Sequence, residues 1–394
     1  MTSSLKRSRV ECDPDSKVLF KSRNECSIIS RRHVAKVPLG LANLGNTCFM
    51  SAVIQVLFHL KDFRKLILVE ENWKVSSRTN NYSYSIEQDL AIAKSLRNVF
   101  LQLETGRESN ENQTYISPIS LHACLKKHAN ELFNFQQQDA HEFLRFLLGS
   151  IQNLFASKKE SSLTLKDINS VSSSGQQPKD LIEALFGGLV VTKTRCLECE
   201  NETRHEETFM DISLPVHGRR SISWAISDCC RREVLMGNNK YACDNCLTYT
   251  EAEKYWSFVE LPPLLIFHLK LFSENTRKVN QVTPCPLELK MTRWCDSKVQ
   301  NGYDTYRLSA IIVHQGFGLG EGHYYAFVSC YLTDYVHCFK HEITEDNPSS
   351  HCFPWYCLND TETFIISESD LMQRLFECPT CVETPYLLFY VKET

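Results

Sequence analysis

Apolar residues in the first half of the chain recur at the three- and four-residue spacing of helices that bury one face. The first stripe follows a Gly/Asn-rich turn and predicts a buried helix that begins at or just after Cys48. It consists of Val53, Val56, Leu57 and Leu60. Further helices are predicted over residues 86–103, directly after the Ser117-Pro118 pair, and over residues 139–155. This half of the chain predicts a helical lobe.

The second half has the texture of strands, because its apolar segments are short and rich in β-branched and aromatic residues. Strands are predicted over residues 188–195, 206–214, 254–260, 264–271, 306–313, 323–332 and 386–391. A helical half followed by a half that is mostly sheet indicates the α+β fold class.

Two segments lack this periodicity. Residues 1–37 are rich in Ser and Arg and are predicted to be a flexible arm. Residues 157–179 are rich in Ser, Gln and Lys and are predicted to be a mobile insertion rather than a domain boundary. The arm contains a basic cluster of Lys6, Arg7 and Arg9. This cluster is consistent with a nuclear localisation signal, although short basic runs in tails are more often solvated charge without a signalling role.

Composition excludes several classes of protein. The 394 residues carry 43 Lys or Arg and 47 Asp or Glu, a formal charge of −4, and 43% are hydrophobic, which excludes wholesale disorder. This acidic balance offers no broad basic face, so no direct nucleic-acid ligand is expected. No apolar run approaches the roughly 18 residues that span a bilayer, so we expect an intracellular protein without a membrane partner. Its 18 cysteines are then expected to be thiols, metal ligands or a nucleophile.

Two Cys-x-x-Cys pairs predict a metal site. Cys196 and Cys199 form the first pair, and Cys243 and Cys246 form the second, each between strand-like segments. Zinc takes four soft ligands in a tetrahedron, and two intervening residues let both thiolates of a tight turn face one ion. The alternative is a coincidence of reduced thiols in a Cys-rich chain. Four cysteines leave no position for a substrate water, so one structural zinc ion is expected.

Cys48 has the setting of a nucleophile. It lies where the Gly/Asn turn meets a helix, and there the unpaired backbone N–H groups and the positive end of the helix dipole favour the thiolate. Asn43 and the amides of the turn are placed to direct donors at a developing oxyanion. A small buried residue that packs the start of a helix is the commoner role of an intracellular cysteine, and the turn makes the two interpretations competitive.

A thiol acyl-transfer enzyme also needs a base and a group that orients the base. His323 follows the Gly-rich segment 316–322 at the head of a strand, where an extended substrate backbone can pass close by. An ordinary hairpin histidine is the alternative. Asn359 and Asp360 end a later strand and are suited to hold the imidazole, although an Asn-Asp pair usually forms a turn. Weaker candidates for the base are His141, His268 and His314.

These segments together resemble the ubiquitin-specific proteases. Residues 40–51 are similar to the family's cysteine box, and residues 137–144 are similar to its acidic helix start. Residues 261–272 are similar to the strand before one of its blocking loops, and residues 322–326 with 355–360 are similar to its histidine box. The two cysteine pairs match the family's fingers subdomain. Phe49 stands where the family commonly has Tyr and Ser51 where it commonly has Asn, and neither departure removes a reacting group.

The resemblance implies a papain-like cysteine protease fold with a helical thumb, a β-rich palm and zinc-stapled β fingers. The catalytic domain would cover residues 38–392 and the fingers about residues 187–260. The implied activity is hydrolysis of isopeptide bonds at the C-terminal glycine of ubiquitin on modified proteins. The implied catalytic residues are the nucleophile Cys48, the general base His323, the orienting residue Asn359 or its neighbour Asp360, and the oxyanion donor Asn43. The implied residues that hold ubiquitin's tail are Gln138, Asp139, Gly322 and Tyr324.

A finer resemblance, over residues 185–200 and 385–390, is to the subgroup activated by a WD40-repeat partner, which includes a DNA-damage-response member. It implies low activity of the chain alone and a nuclear location, with the cytoplasm as the other expected compartment. Two rival functions are an inactive ubiquitin-binding scaffold and a zinc-ribbon nucleic-acid binder. The joint presence of Cys48, His323 and Asn359 argues against the first, and the lack of a basic stripe beyond the arm argues against the second.

Overall fold

Eight α-helices occur in the part of the chain that the computed structural model describes. These residues are 37–69, 84–109, 112–129, 137–156, 180–216, 220–272, 278–279, 283–296, 304–318, 322–332, 353–377 and 382–393. The helices are α1 (Cys48–His59), α2 (Lys61–Leu68), α3 (Tyr84–Ser109), α4 (Ile119–His128), α5 (Ala140–Ala156), α6 (Leu181–Phe186), α7 (Ile222–Cys229) and α8 (Glu368–Met372). None of them is both long and apolar enough to cross a membrane.

The predicted arm, apart from Val37, and the predicted insertion at residues 157–179 lie outside the described residues. By its contacts the chain divides into Met1–Ala35 and Lys36–Thr394, and every described residue belongs to the second unit. The boundaries of the arm and the insertion therefore remain predictions.

Sixteen strands are described, and most follow the predicted segments. They are β1 (Gly40–Leu41), β2 (Tyr115–Ile116), β3 (Gly188–Cys196), β4 (Glu202–Phe209), β5 (Ile212–Pro215), β6 (Glu233–Leu235), β7 (Tyr241–Cys243), β8 (Thr248–Thr250), β9 (Ala252–Glu260), β10 (Leu264–Lys270), β11 (Glu288–Lys290), β12 (Thr305–Gly316), β13 (Gly322–Ser329), β14 (Trp355–Asn359), β15 (Glu362–Ile366) and β16 (Glu383–Lys392).

The strands form two main sheets within the described residues. An eight-stranded sheet, here called the palm sheet, has the order β15-β14-β13-β12-β16-β10-β5, with β11 on β12. A four-stranded sheet, the finger sheet, has the order β4-β3-β9-β6, and the hairpin β7-β8 lies beyond it. β1 and β2 form a small parallel pair, in which β1 precedes α1 and β2 follows α3. The expected α+β class, with helices, palm and fingers, is confirmed.

The strand predicted over residues 206–214 is wrong in one respect, because it is two strands in different sheets. β4 pairs with β3 in the finger sheet, whereas β5 lies parallel to β10 in the palm sheet. The chain crosses between the sheets at Met210 and Asp211. Asp211 breaks the apolar pattern at this point, and its buried side chain forms an ion pair with His141 on α5.

Helix α1 is the centre of the core, and all twelve of its residues are buried. It packs against β13 of the palm sheet and against α5 of the helical lobe. One continuous cluster of buried apolar side chains joins the two lobes, and it includes Phe49, Phe143 and Phe327. Phe49 and Phe143 meet edge to face, with ring centroids 5.5 Å apart. The first residue of α1, Cys48, is therefore held between the lobes.

A buried ion cluster connects the fingers to the segment that follows β11. Lys193 and Arg204 lie directly opposite each other on β3 and β4, where two like charges would repel. The carboxylate of Asp296 lies 2.8 Å from the charged nitrogens of both side chains. Only 2% of its side chain is exposed, so this buried carboxylate offsets one of the two positive charges and reduces their repulsion.

Candidate active site

The turn before α1 is organised around the side chain of Asn43. Its Oδ1 accepts hydrogen bonds from the backbone N–H groups of Gly45 and Thr47, at 3.0 and 3.2 Å. Gly45 and Asn46 both have left-handed backbone angles, with φ of 95° and 53°. This conformation turns the chain into α1 so that Cys48 is the first helical residue, with 3% of its surface exposed.

His323 lies beside Cys48 near the start of β13. Its ring interacts electrostatically with the Cys48 thiol, and its Nε2–H donates to Oδ1 of Asn359 at 2.6 Å. Since Nε2 faces Asn359, the other ring nitrogen, Nδ1, is the one available to Cys48. Asn359 ends β14, which pairs directly with β13. Adjacent strands of one sheet therefore hold the imidazole and the amide in register.

The pKa of His323 is raised to about 9. Burial acts to lower it, but the contact with Cys48, the hydrogen bond to Asn359 and the charges of Cys48 and Asp360 outweigh that effect. The imidazole is therefore protonated at neutral pH and pairs with the sulfur as a cation.

Asp360 lies close to the imidazole but has a different partner. Its Oδ2 is 3.9 Å from Nε2 of His323 and accepts a hydrogen bond from Nδ2 of Asn43 at 3.0 Å. Its backbone is left-handed, with φ of 49°, and its carbonyl accepts from the N–H of Leu41 at 2.8 Å. The sequence left the choice between Asn359 and Asp360 open, and the geometry favours Asn359 as the orienting residue.

Gly40 is placed where the chain makes its closest approach to this turn. A Cβ atom at residue 40 would lie 2.5 Å from the carbonyl oxygen of Asp360, so a larger residue would displace the turn. The Gly/Asn segment thus contacts both parts of the site. Its first residue, Gly40, packs against the turn at Asp360, and its last residue, Cys48, begins α1.

The residues of the implied tail site lie around the start of α5. Asp139 caps this helix by accepting from the N–H groups of His141 and Glu142, at 2.7 and 3.0 Å. Its second oxygen accepts from the hydroxyl of Tyr386. The Tyr324 ring packs 5.6 Å from the Tyr386 ring with 5% of the residue exposed, so only an edge of Tyr324 is available to a peptide.

Gly322 joins β13 to this helix start. Its N–H donates to Oε1 of Gln137 at 2.8 Å. A Cβ atom at this position would lie 2.2 Å from Nε2 of His314, so only glycine fits against that ring. Gln138 is the residue between Gln137 and Asp139, at the same end of α5. The contact of Gln137 with Gly322 was not predicted, although the Gln-Gln pair at the helix start was its sequence signal.

The weaker candidate histidines have other roles. His141 Nε2 pairs with Asp211 at 2.8 Å, and the pKa of Asp211 is lowered because His141 and Arg145 outweigh its burial. His268 stacks on His141 at 4.0 Å, and burial lowers its pKa to about 4. Burial and nearby cations lower the pKa of His314 to about 3. His268 and His314 are therefore neutral, and for His268 its setting in an apolar strand had suggested a packed role.

The four knuckle cysteines converge beyond the finger sheet. The Sγ atoms of Cys196 and Cys246 are 3.9 Å apart, those of Cys199 and Cys243 are 3.7 Å apart, and all four lie within 4.8 Å of one another. Four sulfurs bound tetrahedrally to zinc at about 2.3 Å would be separated by about 3.8 Å. The hydroxyl of Thr250 lies 3.2 Å from Sγ of Cys196, where it can donate to a thiolate. The residues present fit a metal ion with four thiolate ligands.

A helix-terminal thiol, an imidazole and an amide, joined across a helix and a sheet that pack together, define a papain-like cysteine hydrolase. The family profile described as ubiquitin carboxyl-terminal hydrolase matches residues 39–390. The chain belongs to this family, and its fold and thiol site are those of a cysteine-type deubiquitinase.

Curated relatives of the same name support this membership. Ubiquitin carboxyl-terminal hydrolase 25 of Arabidopsis thaliana is 27% identical over 365 residues, which cover 92% of this chain and 49% of that protein. Ubiquitin carboxyl-terminal hydrolase 4 of Arabidopsis thaliana and ubiquitin carboxyl-terminal hydrolase 12 of Salmo salar are each 31% identical. Their matches cover 73% and 78% of this chain, and 80% and 81% of those proteins. The chain spans about half the length of the first relative.

Two solved structures of the SAGA deubiquitinating module Ubp8/Sgf11/Sus1/Sgf73 have a similar fold. The one bound to monoubiquitin has a TM-score of 0.65 at 25% identity, and the one bound to ubiquitin aldehyde has a TM-score of 0.66 at 23% identity. Both matches cover 91% of this chain and 70% of the solved chain.

The raised pKa of His323 predicts a pH-dependent contribution to stability. Its ordinary pKa is 6.5 and its folded pKa is about 9, so protonation stabilises the fold fully below pH 6.5 and this stabilisation is lost as the pH rises through 9. We expect the difference in Tm between wild type and His323→Ala to be largest below pH 6.5 and to shrink to a constant above pH 9. Asn359→Ala, which removes one of the stabilising hydrogen bonds, should lose part of this dependence. Thermal melts of the three proteins between pH 5 and pH 9.5 measure this pH dependence. A difference in Tm between wild type and His323→Ala that does not change with pH would contradict the raised pKa of His323.

Proposed function

We propose that this chain cleaves isopeptide bonds at the C-terminal glycine of ubiquitin, with Cys48, His323 and Asn359 as its reacting and orienting groups. The observation that carries the proposal is the relay formed by Cys48, His323 and Asn359, in which the His323 ring donates to Asn359 at 2.6 Å and interacts electrostatically with the Cys48 thiol. An inactive scaffold does not require this relay, because binding of ubiquitin alone needs no imidazolium beside a thiol.

The relay supports a two-step hydrolysis. The Cys48 thiolate attacks the carbonyl carbon of the terminal glycine, and protonated His323 gives its proton to the departing amine. The C–N bond breaks and a thioester remains. Neutral His323 then takes a proton from water as the water attacks the thioester, which releases the ubiquitin carboxylate and restores the thiol pair.

Two groups are placed to stabilise the oxyanion of each tetrahedral intermediate. The first group is the set of backbone N–H groups at the start of α1. The second is Asn43, whose amide nitrogen donates one hydrogen to Asp360 and retains one more. Asp360 therefore acts through Asn43, by fixing the direction of its amide.

The entrance built by Gln138, Asp139, Gly322 and Tyr324 is proposed to hold ubiquitin's extended tail. The absence of a side chain at Gly322 lets a peptide backbone pass close to His323. A pocket of about 530 Å³ lies between α5 and the end of β4, with Arg145, Gln152 and Glu183 among its lining residues. The globule of ubiquitin is proposed to lie on this side, between α5 and the finger sheet.

Hydrolysis of a fluorogenic ubiquitin C-terminal amide tests these roles. We expect Cys48→Ala to abolish turnover and retain ubiquitin binding, because the thiol forms the bond but supplies little of the recognition surface. Asn359→Ala should reduce kcat/KM on the order of a hundredfold or more. Asp360→Ala should lose less, since it acts through Asn43. Turnover near wild type in Cys48→Ala, or equal or inverted losses at residues 359 and 360, would overturn the assignment.

The four knuckle cysteines are proposed to bind one structural zinc ion. Cys196 and Cys243 are buried near the tip of the fingers, outside the main apolar cluster, so the metal would replace a core in this region. Four thiolates close the coordination shell, and the ion would stabilise the two turns without contacting substrate.

Replacing one ligand separates this structural role from catalysis. Cys196→Ser or Cys243→Ser should release one zinc ion per chain, lower Tm and weaken binding of whole ubiquitin, whereas chloroacetamide should still modify Cys48 in the folded fraction. Cys229→Ser, a thiol elsewhere in the fold, is the matched control and should retain the metal. Elemental analysis measures the zinc content, and a folded, active wild type free of zinc would contradict the proposal.

An activating WD40-repeat partner and a nuclear or cytoplasmic location are proposed from the finer sequence resemblance, and the nuclear location also from the basic cluster of the arm. A role in the DNA-damage response belongs to the same proposal. The fingers offer an uncovered apolar surface for such a partner. Its side chains are 44% to 88% exposed, and they are Leu197, Val234, Met236, Leu247 and Tyr249. Exposed apolar clusters of this kind commonly mark protein interfaces.

Affinity purification of the tagged chain from its own cells tests the partner. We expect a WD40-repeat protein to co-purify and to raise kcat when it is added back. Leu247→Glu combined with Tyr249→Glu should weaken its retention, because a charge would be buried at an apolar contact. Retention unaffected by this pair would remove the fingers as the docking surface, and a purified chain that is fully active alone would argue against activation.

A further inference from the structure

Lys278 has a buried ammonium group outside the catalytic relay. The residue is 8% exposed. It forms an antiparallel bridge with Phe272, two residues after β10, and the N–H of Val279 donates to the carbonyl of Leu271 at 2.6 Å. The position of Lys278 is therefore set by the palm sheet.

All three N–H bonds of the ammonium group have carbonyl acceptors. Nζ of Lys278 donates to the carbonyls of His314, Gly316 and Val382 at 2.7, 2.9 and 2.9 Å. An ammonium group has three donors, so these bonds satisfy it completely. Bonds from a charged donor are stronger than those between neutral groups, so the three carbonyls are held firmly.

Two of these carbonyls belong to the neighbours of the residue that pairs with His323. His314 and Gly316 flank Gln315 on β12, and Gln315 is the residue directly opposite His323 on β13. On the other side, Gln315 pairs with Glu383, the first residue of β16, directly after Val382. One ammonium group therefore joins the end of β12 to the start of β16 at the level of His323.

The backbone alone joins these strand ends weakly. The N–H of Gly316 lies 3.4 Å from the carbonyl of Val382, which is long for a ladder hydrogen bond. Lys278 contacts both residues at 2.9 Å and supplies the stronger connection.

A buried charge at this position is costly for stability. Burial lowers the pKa of Lys278 to about 8, against the opposing charge of Glu383, and the Glu383 carboxylate is itself paired with Arg374 at 2.7 Å. An apolar side chain of the same length would fill the space without this cost. Three directed hydrogen bonds to backbone are what an apolar residue cannot provide.

We propose that Lys278 is a positioning residue for His323: it holds the ends of β12 and β16 so that β13 presents the imidazole to Cys48. This inference rests on the proposed role of His323 as the base. It assigns to Lys278, which is bridged to the segment just after β10, a function in a cysteine–histidine pair that Lys278 does not touch.

The test measures the cysteine–histidine pair without ubiquitin. Chloroacetamide alkylation of Cys48 is followed at pH 6 and pH 9, and the ratio of the two rates cancels differences in access to the buried thiol. A thiol without an imidazolium partner reacts on the order of a hundredfold more slowly at pH 6 than at pH 9, because only the thiolate is nucleophilic. In wild type, the alkylation rate at pH 6 should be within about tenfold of the rate at pH 9. In His323→Ala, the rate at pH 6 should be on the order of a hundredfold lower than at pH 9.

Lys278→Met keeps the length of the side chain and removes its three donors. We expect its alkylation rate at pH 6 to fall about tenfold or more relative to wild type, with the pH 9 rate within about twofold. In hydrolysis of the fluorogenic ubiquitin substrate, kcat should fall by a similar factor with little change in KM. Lys193→Met is the matched control, since Lys193 is equally buried, at 9% exposed, but pairs with Asp296 in the fingers. Its alkylation ratio should equal that of wild type.

Lys278→Gln keeps an amide donor and should give a ratio between those of wild type and Lys278→Met, and it replaces the methionine variant if that variant does not fold. A wild-type ratio in folded Lys278→Met or Lys278→Gln, with only Tm lowered, would overturn the positioning role. A loss of the same size in Lys193→Met would also overturn it. If His323→Ala itself leaves the ratio unchanged, the proposed base is wrong, and that result is distinct from a failure of Lys278 alone.

Discussion

The chemistry of this protein depends on the complete burial of helix α1 between the helical lobe and the palm sheet. A helix packed on every side cannot rotate or slide without opening the core, so the thiol at its first residue has a fixed position relative to β13. The imidazole is fixed by the register of β13 against its two neighbours. The distance between sulfur and ring is thus set by core packing and by backbone pairing together, and neither contact involves the exposed surface.

The charge of each histidine near the site depends on burial, which favours the neutral ring, and on its partners, which can favour the protonated ring. Burial alone would make every histidine near the core neutral, and this is the outcome for His268 and His314. His323 differs because it has a sulfur on one side and an amide oxygen on the other. His323 is also less deeply buried than His314, with 31% of its side chain exposed against 1% of His314, so its partners and its partial exposure together account for the difference.

Much of this arrangement was predictable from the sequence. The turn before Cys48, the Gly-rich segment before His323 and the two cysteine pairs each have local signals, because backbone angles, helix starts and ligand spacing are short-range properties. The choice between Asn359 and Asp360 was not predictable, since it depends on which side chain the left-handed turn directs toward the ring. The contact of Gln137 with Gly322 spans 185 residues, and the apolar pattern gives no information about such a pair. The strand over residues 206–214 was predicted as one element because β-propensity does not reveal a change of sheet.

The crossing at Met210 and Asp211 connects the two sheets to the helical lobe. Asp211, where the chain leaves the finger sheet, also contacts His141, the second residue of the helix that Asp139 caps. The junction of the fingers with the palm sheet and the helix start beside the tail entrance therefore share one polar contact, so the fingers and the tail entrance are not independent parts of the fold.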